Sequence, residues 1–373
     1  MQMFIDEADI DEENILICGD FDEVIMSHGG DIYTQKVDID FSVNLNPGGI
    51  RDEMKEALRS SLDRCGEYPD TEQRSVRKII AEEEGLDPSN VLAGCGASEL
   101  IPAVIRSLNA KNALVFTPSY TGYERALSSA GVKMIRHATS ADNDLEITME
   151  DLSAITDKTD LIILCNPVNP TGKNIRSDVI YETLLRACSV GATVMIDESF
   201  YHMSEKYRGT CVTEGTELLR KTGSLVVLRS LTKLFCIPGI RAGVALGPDD
   251  LIHGITRQVP EWNLPVTSEA AIRTGYELMK DRSFFEDTFS AIRSGRKYLT
   301  ESLRSFGFKV YDSDTSFILF EGPDGLKGKL LEKGILIREC GDQAPLSDRH
   351  YRIAVRNEHD NRELIQRIGE SIV

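Results

Sequence analysis

Short apolar runs and helix-like stretches alternate through the middle of the chain. The runs predicted as strands are 113–116, 161–165, 192–196, 224–228 and 244–246, and the stretches predicted as helices include 99–108, 123–130 and 177–189. Because strands buried on both faces read as continuous apolar runs, this alternation predicts an α/β fold with a mostly parallel sheet between helices. In such a sheet, binding residues lie at the carboxyl ends of the strands.

The pattern changes beyond Pro265, where long helical stretches precede short strands. Helices are predicted over 268–279 and 283–306, and strands over 316–320, 335–338 and 351–354. This α+β character predicts a second, smaller domain. We expect residues 46–264 to form the large domain, and residues 1–45 together with 265–373 to form the small domain with an N-terminal arm.

The charge balance limits the classes of partner. The 373 residues include 42 Lys and Arg against 60 Asp and Glu, which gives a formal net charge of −18. A protein this acidic gains nothing from counterion release on nucleic acid or from attraction to anionic lipid, so we expect a small-molecule partner. Residues 1–23 are acidic and contain no Lys or Arg, which is the opposite of a signal peptide.

The cysteines and the apolar runs bear on location. The 8 cysteines are scattered without a Cys-x-x-Cys pair, and the histidines form no cluster at metal-ligand spacing. In a chain of this length, such cysteines predict reduced thiols, a cytoplasmic protein and no metal site. The apolar runs are too short to span a bilayer, so a membrane protein is not expected.

A glycine-rich turn is the first of several segments with candidate chemistry. Residues 94–99 read Gly-Cys-Gly-Ala-Ser-Glu and lead into the predicted helix 99–108. Unpaired N–H groups at a helix N-terminus bind anions, and Ser98 would add a hydroxyl donor, which predicts a phosphate site. Ser98 also fits a plain N-cap role. A dinucleotide fingerprint fits less well, because Glu99 stands where its third glycine is expected.

Two further segments follow predicted strands directly. Residues 165–172 read Cys-Asn-Pro-Val-Asn-Pro-Thr-Gly, and their two prolines make a rigid turn that would present the Asn169 amide in one orientation. Asp197 follows the apolar run 192–196. A carboxylate at the end of a buried strand needs a cation beside it, and a protonated pyridine nitrogen would serve. A structural arginine or a helix cap is the alternative.

A lysine stands in hydroxyl-rich but otherwise apolar surroundings. Residues 229–241 read Arg-Ser-Leu-Thr-Lys-Leu-Phe-Cys-Ile-Pro-Gly-Ile-Arg. Burial and nearby cations lower the pKa of a lysine amine, which makes Lys233 a candidate nucleophile toward an aldehyde. Ser230, Thr232 and Arg241 would supply donors to a phosphate. The alternative is an ordinary surface lysine, which the apolar neighbours of Lys233 disfavour.

Together these segments resemble the pyridoxal-phosphate enzymes of the aspartate aminotransferase fold, known as fold type I. The resemblance covers nearly the whole chain, with the segments in family order and at family spacing. It implies the cofactor pyridoxal 5′-phosphate, held covalently by Lys233 and paired at its pyridine nitrogen by Asp197. It also implies that Asn169 contacts the phenolic oxygen and that Tyr120 stacks on the ring. The residues implied in binding the cofactor phosphate are Gly96, Ala97, Ser98, Ser230, Thr232, Arg241 and, from the other subunit of a homodimer, Tyr68.

Within this fold the chain is similar to threonine-phosphate decarboxylases of cobalamin synthesis and to histidinol-phosphate aminotransferases. Three details favour the decarboxylases. The first is the pair of segments at 28–30 and 40–47, His-Gly-Gly and Asp-Phe-Ser-Val-Asn-Leu-Asn-Pro. The second is Phe200, where the aminotransferases usually have a tyrosine that donates to the phenolic oxygen. The third is a pair of C-terminal segments, Leu-Ile-Arg-Glu-Cys at 336–340 and Tyr-Arg-Ile-Ala-Val-Arg-Asn at 351–357.

Several residues outside the cofactor segments fit a substrate with a carboxylate and a phosphate. Arg338 and Arg352 would each form a bidentate pair with an anion. His28 and the amide of Gly29 would add a phosphate contact near the entrance, and Asn44 is a further candidate at this end. Each has a plainer alternative, such as a structural ion pair for a strand arginine or an ordinary loop position for the histidine.

Three functions follow from this pattern. Decarboxylation of L-threonine O-3-phosphate, or of L-serine O-phosphate, to the amino-alcohol phosphate is favoured. Transamination of histidinol phosphate or a related amino acid is the alternative, because the orientation of the substrate at Cα selects the bond that breaks. A non-catalytic, cofactor-binding regulatory protein is the third, which the presence of Lys233, Asp197 and Arg241 disfavours.

Overall fold

The computed structural model describes residues 29–204 and 224–372. The strands are β1 (Ile39–Asp40), β2 (Val91–Gly94), β3 (Asn112–Thr117), β4 (Lys133–Ala138), β5 (Leu161–Cys165), β6 (Thr193–Asp197), β7 (Leu225–Ser230), β8 (Gly243–Leu246), β9 (Lys309–Val310), β10 (Phe317–Glu321), β11 (Ile335–Leu336), β12 (Arg338–Glu339) and β13 (His350–Ala354). The α-helices are α1 (Asp52–Ser61), α2 (Arg74–Glu84), α3 (Ala97–Ser107), α4 (Gly122–Ser129), α5 (Ser177–Val190), α6 (Leu231–Leu234), α7 (Asp249–Thr256), α8 (Val266–Met279), α9 (Arg282–Ser305), α10 (Leu326–Leu331) and α11 (Glu358–Ile372).

A seven-stranded sheet forms the centre of the molecule, in the order β2-β8-β7-β6-β5-β3-β4. Strands β4, β3, β5, β6 and β7 pair in parallel, whereas β8 is antiparallel to both of its neighbours. The predicted mostly parallel sheet is therefore confirmed. The parallel strands bring their carboxyl ends to one edge of the sheet, where binding sites of open α/β folds lie.

Helices cover both faces of this sheet, because successive side chains of each strand point to opposite faces. In β5, Ile162 and Leu164 pack into a core that includes buried residues of α1, α2, α5 and α8. Leu161 and Ile163 pack into a second core that includes buried residues of α3, α4 and α7. The continuous apolar character of the central strands follows from this burial on both faces.

The smaller sheets are built from the C-terminal strands β9 to β13 together with β1. Strands β12, β13, β10 and β9 form an antiparallel sheet, and β1 pairs in parallel with β11. The single strand predicted over 335–338 is wrong in detail, because Ile337 separates two short strands that pair with different partners. Since β12 and β13 are neighbours, Arg338 and Arg352 stand directly opposite each other.

Helix α8 lies beyond the predicted boundary of the large domain at residue 264 and contacts α1 and α2. The assignment of 46–264 to a large domain, and of 1–45 with 265–373 to a small one, stays a prediction. None of the helices in the described part of the chain combines the length and the apolar character needed to cross a bilayer.

A cluster of buried charged side chains links α2 to the seven-stranded sheet, below the carboxyl edge of that sheet. The Arg229 guanidinium donates through Nε to Oε2 of Glu198 at 3.0 Å and through Nη1 to Oε1 of Glu84. The side-chain exposures are 2% for Arg229, 0% for Glu198 and 8% for Glu84. Glu198 directly follows Asp197, so this cluster underlies the strand end that carries candidate chemistry.

Candidate active site

A cavity opens at the carboxyl edge of the large sheet, against the sheet that contains β12 and β13. Most of the side chains that the sequence predicts for the site line this cavity. At one end these are Ala97, Ser98, Tyr120, Asn169, Asp197, Ser230, Lys233 and Arg241, and at the other end Gly29, Asn44, Arg338 and Arg352. The separate segments of the sequence therefore meet in one place.

Lys233 lies in the short helix α6, directly after β7. Burial, together with the nearby charges of Arg241 and Arg352, lowers the pKa of its amine from 10.5 to about 8, whereas Asp197 acts in the opposite direction. An amine with a pKa near 8 is partly neutral at physiological pH and is therefore nucleophilic. This supports the prediction that Lys233 reacts with an aldehyde.

Asp197 is the last residue of β6 and is only 4% exposed. Its Oδ2 accepts the hydroxyl of Tyr123 at 2.7 Å, and its Oδ1 accepts both the backbone N–H (3.0 Å) and the hydroxyl (2.5 Å) of Ser199. The alternative of a structural arginine partner applies instead to its neighbour, Glu198. Asp197 lines the cavity, where a cationic ring nitrogen would meet it.

An anion cradle forms at the N-terminus of α3. Gly96 precedes the helix with φ +80°, and Arg241 donates through Nη2 to Oγ of Ser98 at 2.6 Å. A Cβ on Gly243 would lie 2.8 Å from the amide nitrogen of Ala97, so a glycine is required at that position. The first N–H groups of a helix have no acceptor within the helix. Together with the hydroxyls and the guanidinium, they match the donor set that a phosphate requires.

Tyr120 and Asn169 also line the cavity. The Oδ1 of Asn169 accepts from Nη1 of Arg352 at 2.6 Å, which leaves the amide nitrogen as the group that can donate to another acceptor. This orientation suits the predicted contact with a phenolic oxygen. The ring of Tyr120 packs edge-on against Tyr123, with centroids 5.3 Å apart.

The two arginines at the far end of the cavity are buried but have polar partners. Arg352 donates to Asn169 and to the carbonyl of Ser42, and its Nε has no partner among the described residues. Burial lowers the pKa of Arg352 to about 10, so the side chain is still charged at neutral pH. Arg338 donates to Asp342. Two cations on adjacent strands make this end of the cavity attractive to an anion.

Gly29 and Asn44 complete this end. A Cβ on Gly29 would lie 2.5 Å from the carbonyl oxygen of Ser42, so only glycine allows this close approach of the two chain segments. Asn44 is 4% exposed, and its Oδ1 is buried without a partner in the described part of the chain. A buried unpartnered acceptor on a cavity wall indicates that a ligand or a water belongs there.

Three predicted residues of the described part of the chain do not line the cavity, and a fourth, His28, cannot be assigned a place. The hydroxyl of Thr232 points away and donates to the carbonyl of Ala242 at 3.2 Å, so the geometry does not support its predicted phosphate contact. Gly96 shapes the turn behind the cradle. Tyr68 is 81% exposed and packs on Trp262, and His28 lies outside the described residues.

Sequence reasoning missed Tyr123 and Gln343. Tyr123 stood at the start of a predicted helix, where its apolar ring fits an ordinary core position, so nothing in the sequence marked it as part of the site. Gln343 lines the cavity beside Arg338, and its Oε1 is buried with no partner in the described ranges. It lies in an irregular loop, where no periodicity indicates which side chains point inward.

In the described ranges, no group of three or more His, Cys, Asp or Glu side chains is arranged to hold a metal ion.

The residues present fit pyridoxal 5′-phosphate. A phosphate cradle, a buried amine of lowered pKa, an aromatic ring and a buried carboxylate all line one cavity. Lys233 would bind the aldehyde, Asp197 the ring nitrogen, and Ser98 with Arg241 the phosphate.

Comparisons with known proteins identify a matching family model and similar proteins. The family model described as Aminotransferase class I and II matches residues 36–368. The chain is 34% identical to a provisionally named threonine-phosphate decarboxylase of Caldanaerobacter subterraneus subsp. tengcongensis, over 91% of this chain and 92% of that protein. It is 29% identical to the threonine-phosphate decarboxylase of Salmonella typhimurium, over 88% of this chain and 89% of that protein.

A solved structure shares the fold over almost its whole length. The histidinol-phosphate aminotransferase of Clostridium acetobutylicum superposes with a TM-score of 0.81 at 27% identity, covering 90% of this chain and 99% of that one. The chain is thus similar to proteins that carry out two different reactions.

Proposed function

Because the chain belongs to the aminotransferase class I and II family, we propose that it decarboxylates L-threonine O-3-phosphate, or L-serine O-phosphate, to the amino-alcohol phosphate. The protein is a pyridoxal-phosphate enzyme of fold type I. For the threonine substrate the product is (R)-1-amino-2-propanol phosphate. This activity would belong to the synthesis of the cobalamin side chain, and the scattered cysteines favour a cytoplasmic enzyme.

The observation that carries this proposal is the pair of arginines opposite the cofactor cradle. Arg338 and Arg352 face one cavity from adjacent strands, and Arg241 lies at its other end. Because the cradle at Arg241 would hold the cofactor phosphate, the arginine pair would be left for the substrate. A substrate with both a carboxylate and a phosphate matches two neighbouring guanidinium groups.

Bound pyridoxal 5′-phosphate supplies an electron sink for the bond that breaks at Cα. The neutral amine of Lys233 is the nucleophile, and its lowered pKa makes that form available near pH 8. Arg338 and Arg352 hold the acidic groups of the substrate and so fix the orientation of its Cα bonds. When the carboxylate leaves as carbon dioxide, Cα takes up a proton in its place, and the amine of Lys233 in its protonated form would be the donor.

Phe200 supports decarboxylation over transamination. It lines the cavity, is 6% exposed and packs against Phe317 with ring centroids 4.8 Å apart. A phenylalanine supplies no hydroxyl donor at the position where the related aminotransferases usually have tyrosine. The similarity to the Clostridium acetobutylicum aminotransferase keeps transamination of histidinol phosphate as the second candidate.

The test is a panel of phosphorylated substrates, monitored for two products in parallel. We expect L-threonine O-3-phosphate or L-serine O-phosphate to release carbon dioxide without any keto acid. Histidinol phosphate with 2-oxoglutarate is the comparison reaction, and glutamate is its measured product. Glutamate formation without carbon dioxide from either phosphorylated amino acid would contradict the proposal. Lys233→Ala is the inactive control, and retention of biological function in that variant would indicate a regulatory protein instead.

We also propose a homodimer in which Tyr68 reaches the cofactor phosphate of the other subunit. Tyr68 and Trp262 are 81% and 46% exposed, with ring centroids 4.9 Å apart. Exposed aromatic side chains of this kind are typical of surfaces that a second chain covers. If Tyr68 acts across the interface, mixing Tyr68→Ala with Lys233→Ala subunits restores one complete site per mixed dimer. Activity that stays at the sum of the two parents would contradict this arrangement.

A further inference from the structure

Tyr123 is a fully buried tyrosine that touches two residues of the cofactor site. It lies in α4, three residues after Tyr120, and has 0% exposure. Its hydroxyl donates to Oδ2 of Asp197 at 2.7 Å, and its ring packs edge-on against Tyr120 with an interplanar angle of 89°. Tyr120 and Asp197 are the residues predicted to meet the face and the nitrogen of the pyridine ring.

The hydrogen bond from Tyr123 is one of three that described residues donate to the carboxylate of Asp197. The hydroxyl of Tyr123 donates to Oδ2 of Asp197, and the N–H and hydroxyl of Ser199 donate to Oδ1. An ionised carboxylate can only accept hydrogen bonds, so donors on both oxygens match the charged form. They also leave the carboxylate with one orientation, because a rotation would break bonds at both oxygens.

The hydroxyl of Tyr123 stays a donor under all working conditions. Burial raises the pKa of Tyr123 well above its usual value, and the charge of Asp197 raises it further. A buried tyrosine needs a hydrogen-bond partner in any protein. Here the acceptor is the carboxylate of Asp197, which lines the cavity.

We propose that Tyr123 is a positioning residue for the cofactor: its hydroxyl orients Asp197 toward the ring nitrogen, and its ring supports Tyr120. This inference rests on the role proposed for Asp197. It assigns Tyr123 no contact with the substrate. Its effect is on how firmly the protein binds pyridoxal 5′-phosphate and on how strongly the ring nitrogen keeps its proton.

The experiment compares Tyr123→Phe with a matched control in the full-length protein. Tyr276→Phe removes the hydroxyl of another buried tyrosine, 1% exposed, which contacts Glu84 at 3.4 Å, away from the cavity. Both variants keep the ring, and the thermal midpoint reports whether each one folds. Two quantities are measured after reconstitution: the dissociation constant for pyridoxal 5′-phosphate, and the pH at which its ¹⁵N-labelled ring nitrogen loses the proton.

We expect Tyr123→Phe to weaken cofactor binding on the order of tenfold, which is the loss of one hydrogen bond to a charged group. We also expect the ring nitrogen to lose its proton at a lower pH, whereas Tyr276→Phe matches the wild type in both. Wild-type values in Tyr123→Phe would overturn the inference. Asp197→Asn tests the role of Asp197 separately from that of Tyr123. If this variant also leaves unchanged the pH at which the ring nitrogen loses its proton, the role proposed for Asp197 fails as well.

Discussion

The buried amine of Lys233 makes a prediction that needs neither substrate nor cofactor. Its pKa is lowered from 10.5 to about 8, mainly by burial. At pH 7 the folded protein therefore carries a charged amine that it accommodates poorly. At 1.36 kcal/mol per pKa unit, burial of the charged amine lowers the free energy of unfolding by about 3 kcal/mol. Lys233→Met should remove that cost and stabilise the cofactor-free protein at pH 7 by up to this amount.

The dependence on pH has a definite sign. Between pH 8 and pH 10.5 the unfolded chain binds more protons at Lys233 than the folded chain does, so the wild type gains stability as the pH rises. The advantage of Lys233→Met should therefore shrink from about 3 kcal/mol at pH 7 to about 1 kcal/mol at pH 9.5.

Urea denaturation of the cofactor-free proteins at these two pH values, at one fixed protein concentration, measures this difference. Lys297→Met is the matched control, because the side chain of Lys297 is 75% exposed. It should change the free energy of unfolding little, and equally at both pH values. If Lys233→Met is no more stable than the wild type at pH 7, or if its advantage does not fall with pH, the reasoning about the buried amine is wrong.

Three further predictions concern the two ends of the cavity. Arg241→Gln should weaken binding of pyridoxal 5′-phosphate to the cofactor-free protein roughly 10- to 100-fold, as measured by absorbance titration, whereas the exposed Arg362→Gln should not. Arg338→Met should raise KM for the phosphorylated substrate on the order of tenfold or more while cofactor affinity stays unchanged. An equal loss of cofactor affinity would contradict the role of Arg338 as a substrate-binding residue. Phe200→Tyr should lower the ratio of carbon dioxide release to keto-acid-dependent amine transfer, and an unchanged product ratio would remove Phe200 as a determinant of the reaction.

The sequence predicts the centre of the sheet better than its edges. Strands β5, β6 and β7 are covered on both faces and read as apolar runs, so the pattern identifies them. Strand β4 is an edge strand with partly exposed residues, and it mixes Lys133, Arg136 and His137 with apolar residues without regular alternation, which gives a weak signal. Strand β2, at the opposite edge, is only four residues long and was likewise not predicted.

In the candidate site, the sequence predicts the residues of distinctive segments but not those whose direction depends on tertiary contacts. Lys233, Asp197 and Arg241 lie in segments with unusual residue combinations at strand ends, so both chemistry and spacing identify them. Thr232 shares such a segment, but which way a hydroxyl points within one turn of helix depends on its tertiary neighbours, here the carbonyl of Ala242. Gln343 reaches the cavity from a loop, where position along the chain carries no information about direction.

The buried charges at Arg229 limit how this sequence can change during evolution. Arg229 donates to both Glu84 and Glu198, so losing Arg229 leaves two buried carboxylates without a cation, and losing either glutamate leaves a buried guanidinium donor without its acceptor. Such a loss typically costs about 3–5 kcal/mol, whereas replacing a whole buried ion cluster by apolar residues is often neutral. The three positions should therefore show strong epistasis: each single substitution is unfavourable, while a concerted replacement is tolerated. Homologues are then expected to keep all three residues or to have lost them together.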